Sequence, residues 1–436
     1  ISVTYPTSGT YTNGTQTLQF TINDANLGQT DASFNGTNWT TNVISGSTQI
    51  SSISGWSSIS DGGTFTLYLR HTDCAGHVGT TSISNITKDV TPPTLNSFVL
   101  SCDNQTGTAT FSEGVYSNNN ATGNLNLGTD LTITKSGGTA TYNGAIINHT
   151  AGNSTATFSL YWSGTFNGNE IVTLQTVAAN QIFDAAGNAL AHPSSKKDTA
   201  YAPIIINSHP SDYSTCVNGT ATFTASGSGG LKAQMIWMES TDGGNTWHNL
   251  SDGGTNPTYS GVTTGTLQLT NVPGSYNGYK YHLKIYNGCY ADSTNDATLT
   301  VVSPSLSGPS NGSACYGAVN NDFTVTATGG APYTFDWEYY DGTNWIDVAD
   351  GTPTGADYTI NTVGNQSTLN ITGTTIPAGT YQYRVSVTTG CGNAGPNNFT
   401  LTVNPLPDDK TVTAQSTYVC EGSGTNIIVQ SSQNGV

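Results

Sequence analysis

The stretch that decides the fold runs from Cys216 to Cys289. It reads Cys216-Val-Asn-Gly, then Trp237, Ser240-Thr-Asp-Gly-Gly-Asn-Thr-Trp247, Thr266-Leu-Gln-Leu, Tyr279-Lys-Tyr281 and Cys289. The next hundred residues repeat it: Cys315-Tyr-Gly, Trp337, Tyr340-Asp-Gly-Thr-Asn-Trp345, Ser367-Thr-Leu-Asn, Tyr381-Gln-Tyr383 and Cys391. Cys to Trp is 21 residues in one copy and 22 in the other, Trp to Tyr is 44 and 46, and Tyr to the second Cys is 8 in both. Four landmarks in matched order mark an internal repeat of about 100 residues, the size of one β-sandwich.

Between the landmarks the chain alternates apolar and polar residues, as in Thr64-Phe-Thr-Leu-Tyr-Leu-Arg70, Ala221-Thr-Phe-Thr-Ala225 and Asp322-Phe-Thr-Val-Thr-Ala327. Period-two runs of β-branched and aromatic residues, broken by Gly, Asn and Asp, specify half-buried strands. The expected fold is therefore all-β, an elongated tandem array of immunoglobulin-like sandwiches. In such sandwiches a Trp packs against the opposite sheet and a Tyr near the penultimate strand sends its hydroxyl to backbone. Trp237 and Trp337 take the first role and Tyr281 and Tyr383 the second. Trp247 and Trp345, beside Gly-bearing turns, are expected to pack across a hairpin.

A second pair of related segments occupies the first half. Asp73-Cys-Ala-Gly-His77 precedes Lys88-Asp-Val-Thr-Pro-Pro-Thr94, and Asp184-Ala-Ala-Gly-Asn188 precedes Lys197-Asp-Thr-Ala-Tyr-Ala-Pro203. Each reads as a hairpin, a last strand and a Pro-stiffened linker. With further breaks at Pro304 and Pro405, the expected domains are 1–91, 92–202, 203–303 and 304–404. Residues 405–436 begin a fifth.

The chain has 436 residues, of which 8% are charged, with a net charge of −17. An ordinary domain is about 25% charged. Nucleic-acid binding is excluded, because no cluster of Lys and Arg exists to neutralise phosphates. No apolar run approaches the ~20 residues that span a bilayer, so no membrane insertion is expected.

Seven cysteines point to an oxidising compartment. The repeat makes Cys216–Cys289 and Cys315–Cys391 the natural pairs, each closing a loop worth about 4 kcal/mol by chain entropy. Cys74 and Cys102 straddle the first linker, and join there or stand as two free thiols. Cys420 opens the fifth unit with its partner expected past Val436; the alternative is a free or intermolecular thiol.

Asp73 and Asp184, with Asp89, Asp24 or Asp198, offer oxygen ligands suited to Ca²⁺ near a domain junction. The alternative is that each bonds its own turn backbone. No cofactor is required. Hydrolase, zinc-protease and nucleotide-binding motifs are absent from the sequence, so no catalytic residue is assigned and an enzyme is not expected.

The Ser240–Trp247 segment and Asn277-Gly-Tyr-Lys-Tyr281 resemble Ig-like repeats of large Bacteroidetes surface proteins, and Cys420-Glu-Gly-Ser-Gly-Thr-Asn resembles a repeat of the giant flavobacterial gliding adhesins. The resemblance implies a secreted, extracellular, cell-surface attached adhesin filament, exported by the type IX secretion system. Its implied partners are surface polysaccharide or another external surface, and secretion and gliding machinery reached through other parts of the protein. It also implies O-glycosylation at Asp198-Thr199-Ala200 and Asp292-Ser293-Thr294, on Thr199 and Ser293. Two other classes stay open: a carbohydrate-binding or spacer region of a secreted enzyme, and a self-assembling filament subunit.

Overall fold

The computed structural model describes residues 1–407 and the strand pair Val412–Ala414 and Ile427–Val429. Cys420 and the rest of the expected fifth unit lie outside the described residues. Among these residues the only helices are three single 3-10 turns.

The repeat forms two sandwiches of one design. In the third sandwich, one sheet runs Tyr213–Cys216, Ala297–Val302, Lys280–Tyr286, Gln234–Ser240 and His248–Asn249. The facing sheet is Gly219–Thr224, Thr266–Val272 and Thr258–Ser260. In the fourth, the order is Gly312–Cys315, Gly392–Asn404, Gly379–Thr389, Thr334–Tyr340 and Trp345–Asp347. It faces Ser305–Ser307, Val319–Thr328, Gln366–Gly373 and Asp357–Val363. The opening segment starts in the facing sheet in the fourth and in a two-stranded pair, Ile205–Ser208 with Ser226–Ser228, in the third; in both it then crosses to run parallel to the last strand. Cys216 lies opposite Val302, and Cys315 opposite Asn404. This two-sheet, Greek-key order is the immunoglobulin arrangement.

The first sandwich also sets its opening segment, Tyr11–Thr12, parallel to its last strand Val78–Lys88, followed by Thr64–Thr72 and Gln29–Ser33. The second sets Leu95–Leu100, Thr106–Phe111, Thr155–Ser163 and Thr141–Asn148 against Leu131–Ser136, Ile171–Thr176 and Ser195–Thr199.

Alternation drives these strands together. Along Thr64–Thr72 every second side chain is buried, placing Phe65, Leu67 and Leu69 in the core. Trp237 and Tyr281 are fully buried, and Phe223 stacks on Tyr281 with 4.9 Å between centroids. Trp337 and Tyr383 close on Phe399, which comes from their own sheet, edge-on at 5.8 Å and stacked at 5.4 Å. Each such aromatic contributes about 2–3 kcal/mol by leaving water.

The chain divides into two compact units: Ile1–Ser208 with Ser226–Met235 and Lys284–Ser293, and His209–Ala225 with Ile236–Leu283 and the chain from Thr294 on. Every junction between successive sandwiches described below falls inside one unit.

Candidate functional site: the junctions between sandwiches

Each sandwich has an entry turn, between its opening segment and its second strand, and a closing turn, between its last two strands. The entry turns hold Cys102 in the second sandwich, Cys216 in the third and Cys315 in the fourth. The closing turns hold Cys74 in the first, Cys289 in the third and Cys391 in the fourth.

The disulfides join Cys102 to Cys289 and Cys216 to Cys391, with Cα atoms 5.4 and 5.3 Å apart. Among the described residues Cys74 and Cys315 are free, and both are exposed. This corrects the expected pairs Cys216–Cys289, Cys315–Cys391 and Cys74–Cys102. The reason is the length of the last strand. Cys216 sits beside Val302, at its far end, whereas Cys289 sits just before its start. Thirteen residues of extended chain put them roughly 40 Å apart, where a disulfide needs about 5.5 Å. Cys315 and Cys391 are separated in the same way. Cys74 and Cys102 are carried to opposite sides of their linker by Val78–Lys88 and Leu95–Leu100. Sulfur therefore ties consecutive sandwiches, and not the two sheets of one.

Around Cys102–Cys289 the linker is clamped by amides. Asn104 donates from Nδ2 to the Tyr201 carbonyl at 2.9 Å and accepts the Tyr201 N–H on Oδ1 at 2.8 Å. Asn287 donates from Nδ2 to the carbonyls of Ala202 and Gly229, at 2.7 and 3.1 Å. Asp198 accepts the Leu100 N–H and pairs with Lys232 at 2.8 Å. The Lys232 ammonium also lies 3.7 Å from the Tyr201 ring centre. Asp198 is thus committed to this junction.

The junction between the first two sandwiches has no cysteine on either side. There Gln16, from the entry turn of the first, donates to the Ala186 carbonyl in the closing loop of the second at 2.6 Å. Asn188 donates to the Asp89 carbonyl at 2.9 Å. Asp89, Asp184 and Glu113 come together, with one carboxylate oxygen from each within 4.8 Å of the others. Burial first, then Asp184, Asp89 and Asp61, push the Glu113 pKa up to about 7. Burial and the Asp184 charge raise Asp89 as well. Such a set of oxygens suits a hard divalent cation. Asp184 also accepts the Ala186 and Asn188 N–H groups within its own turn.

The remaining expected calcium ligands lie elsewhere. Asp24 is exposed and caps the Asn26 N–H. Asp73 accepts the N–H groups of Ala75 and His77, and the His77 side chain holds its pKa low. Glu113, which sequence reading left out of the set, joins it by folding: 71 residues separate it from Asp184.

Inside the sandwiches the tyrosine hydroxyls bond side chains, correcting the expected backbone role. Tyr281 donates to Glu239 at 2.7 Å, a carboxylate that also accepts from Tyr259 at 2.5 Å. Tyr383 meets the Tyr358 hydroxyl at 3.1 Å. A polar side chain reaches each hydroxyl first, from the adjacent strand for Tyr281 and from the facing sheet for Tyr383. Trp247 stacks on His282 at 3.8 Å, and Trp345 lies under the Arg384 guanidinium at 4.6 Å. Thr199 and Ser293 are half-buried in sheet positions opposite Ile171 and Lys284.

An open cleft of about 790 Å³ adjoins the first junction, lined by Tyr5, Tyr11, Gln16, Tyr116, Asn119 and Gly187 among others. No helix among the described residues is long and apolar enough to cross a membrane.

No family model matches the chain, and no curated protein matches it. Among solved structures, Sidekick-1 immunoglobulin domains 1–5 align with 92% of this chain and 79% of that chain, at 13% identity and a TM-score of 0.30. A likeness that loose adds nothing to the strand order described above.

Proposed function

We propose that this chain is a non-catalytic, load-bearing segment of an extracellular cell-surface adhesin, built to hold successive sandwiches in fixed register. One observation carries the reading: both disulfides span junctions. A disulfide within a sandwich stabilises that sandwich alone, whereas a disulfide across a junction passes tension to the neighbour without loading the linker. Disulfides of this kind persist in oxidising, extracellular settings. The acidic cluster at the first junction would serve the same end by binding Ca²⁺. Attachment to an outer surface, export by type IX secretion and a place in gliding motility are the finer reading, supported by the sequence resemblance.

The test is adhesion under flow, comparing cells that carry the native protein with cells carrying C102S/C216S. Static attachment should be unchanged, and the variant should detach at lower shear. Equal detachment would sink the load-bearing role. The cleft lined by Tyr and Asn favours a second reading, in which the segment itself holds a glycan. Selective binding on a glycan array, lost in Tyr11→Ala, would establish it.

A further inference from the structure

The geometry points to Cys315 as one half of a third staple: we propose that its thiol forms a disulfide with the closing-turn cysteine of an adjoining sandwich of the same kind. The inference rests on the stapled-array reading above.

Both observed disulfides obey one rule. The entry-turn cysteine of a sandwich, Cys102 or Cys216, joins the closing-turn cysteine of the next, Cys289 or Cys391. Cys315 occupies the same site as Cys216. Its strand runs parallel to the last strand of its sandwich, with Cys315 opposite Asn404 as Cys216 is opposite Val302. The following residue donates its N–H to that partner's carbonyl in both: Tyr316 to Asn404 at 2.9 Å, and Val217 to Val302 at 3.0 Å. Both turns then take a positive φ, 86° at Gly317 and 62° at Asn218. The chain therefore presents the Cys315 sulfur as it presents the Cys216 sulfur, which is bonded.

The junctions supply an independent observation. Where sulfur is used, both sides carry it. At the first junction, where Gln16 meets Ala186, neither side does. A cysteine at a junction turn thus implies a second one facing it. Cys315 has none within its own sandwich, since Cys391 lies at the other end and is bonded to Cys216. Cys74 is the complementary half. It sits in the closing turn of the first sandwich, exposed and free among the described residues.

The bond forms by exchange with a disulfide oxidant such as oxidised glutathione. The Cys315 thiolate attacks one glutathione sulfur and expels the other as a thiolate. The partner thiolate then attacks the Cys315 sulfur and expels the second glutathione. Two protein thiols give up two protons and two electrons, and one glutathione disulfide becomes two glutathiones.

The test uses the full-length secreted protein. Free thiols are capped with N-ethylmaleimide, and the unreduced protein is digested with pepsin at acid pH and read by mass spectrometry. Cys315 should appear linked to a closing-turn peptide, with loss of the capped form. Linkage to Cys74 identifies a second copy and gives a ladder on a non-reducing gel. Linkage to a closing-turn cysteine of a further sandwich in the same chain leaves the mass unchanged. Capped Cys315, or Cys315 joined to Cys420, overturns the inference. The same digest reports Cys102–Cys289 and Cys216–Cys391. Their loss would sink the array reading itself, whereas their presence beside capped Cys315 would sink the third staple alone.

Discussion

Glu113 carries the plainest electrostatic consequence of the first junction. Its pKa rises from an ordinary 4.5 to about 7 in the folded chain. Between those values the folded state holds more protons than the unfolded one, so stability falls as pH rises from about 4.5 to about 7 and then levels. Measured in EDTA, the melting temperature should drop across that window, and Glu113→Gln should flatten the drop. Added Ca²⁺ should raise the native melting temperature above pH 7 and raise that of the variant less. A melting temperature flat with pH in the native chain would contradict the crowding of the three carboxylates. Glu170 is the opposite case. It is fully buried, and its oxygens accept the N–H groups of Thr139, Ala140, Asn167 and Gly168 at 2.7, 3.0, 3.3 and 3.0 Å. Burial raises its pKa, but these bonds together outweigh that and leave it lowered. Gly138 makes the approach feasible, since a Cβ there would come within 2.2 Å of the carboxyl carbon. Glu170→Ala strands four donors, two of them buried, and should cost about 3–5 kcal/mol in denaturant unfolding of the second sandwich.

At the scale of elements, the linker after the second sandwich is held by side chains that imitate a strand. Asn104 takes both the N–H and the C=O of Tyr201, and its own φ of 60° suits Asn or Gly. Asn104→Gly keeps the turn and removes the amide. The Tyr201 amide proton should then exchange roughly tenfold faster, the effect of losing a bond of about 1.4 kcal/mol. Unchanged exchange would show that the disulfide alone sets the linker. The strands themselves were legible in the sequence. Alternation in Thr64–Thr72 needs no partner to be read, and matched spacing marks Trp237 with Trp337 and Tyr281 with Tyr383 as equivalent positions. The disulfides were not legible, for a physical reason. A 73-residue spacing from Cys216 to Cys289 is the same whether each cysteine bonds inside its sandwich or outward. What decides is the end of the sheet at which each turn emerges, and that depends on the parallel pairing of the opening segment with the last strand. Glu113 was hidden similarly, because its companions arrive from a linker and a closing loop distant in sequence.

At the scale of the whole molecule, the two disulfides interlock. Their loops, of sequence separation 187 and 175, overlap between Cys216 and Cys289. Chain entropy credits each with about 5 kcal/mol, little more than a shorter loop, because the term grows only as a logarithm. Their mechanical effect is far larger. A chain pulled from its ends would pass tension across Cys102–Cys289, back along residues 216–289, and out through Cys216–Cys391. The stretch between Cys102 and Cys391 would then extend by about 73 residues in place of about 289, withholding roughly 750 Å at about 3.5 Å per residue. Single-molecule stretching before and after reduction should show that gain in contour length. Pairing within sandwiches, Cys216 with Cys289 and Cys315 with Cys391, would withhold only about 149 residues, roughly 520 Å. A gain near the smaller value would refute stapled junctions, and no gain would mean that the staples do not form. The larger value would mean that, while the disulfides hold, complete unfolding of the enclosed strands releases only a quarter of their length, the behaviour expected of a tether that must not lengthen under load.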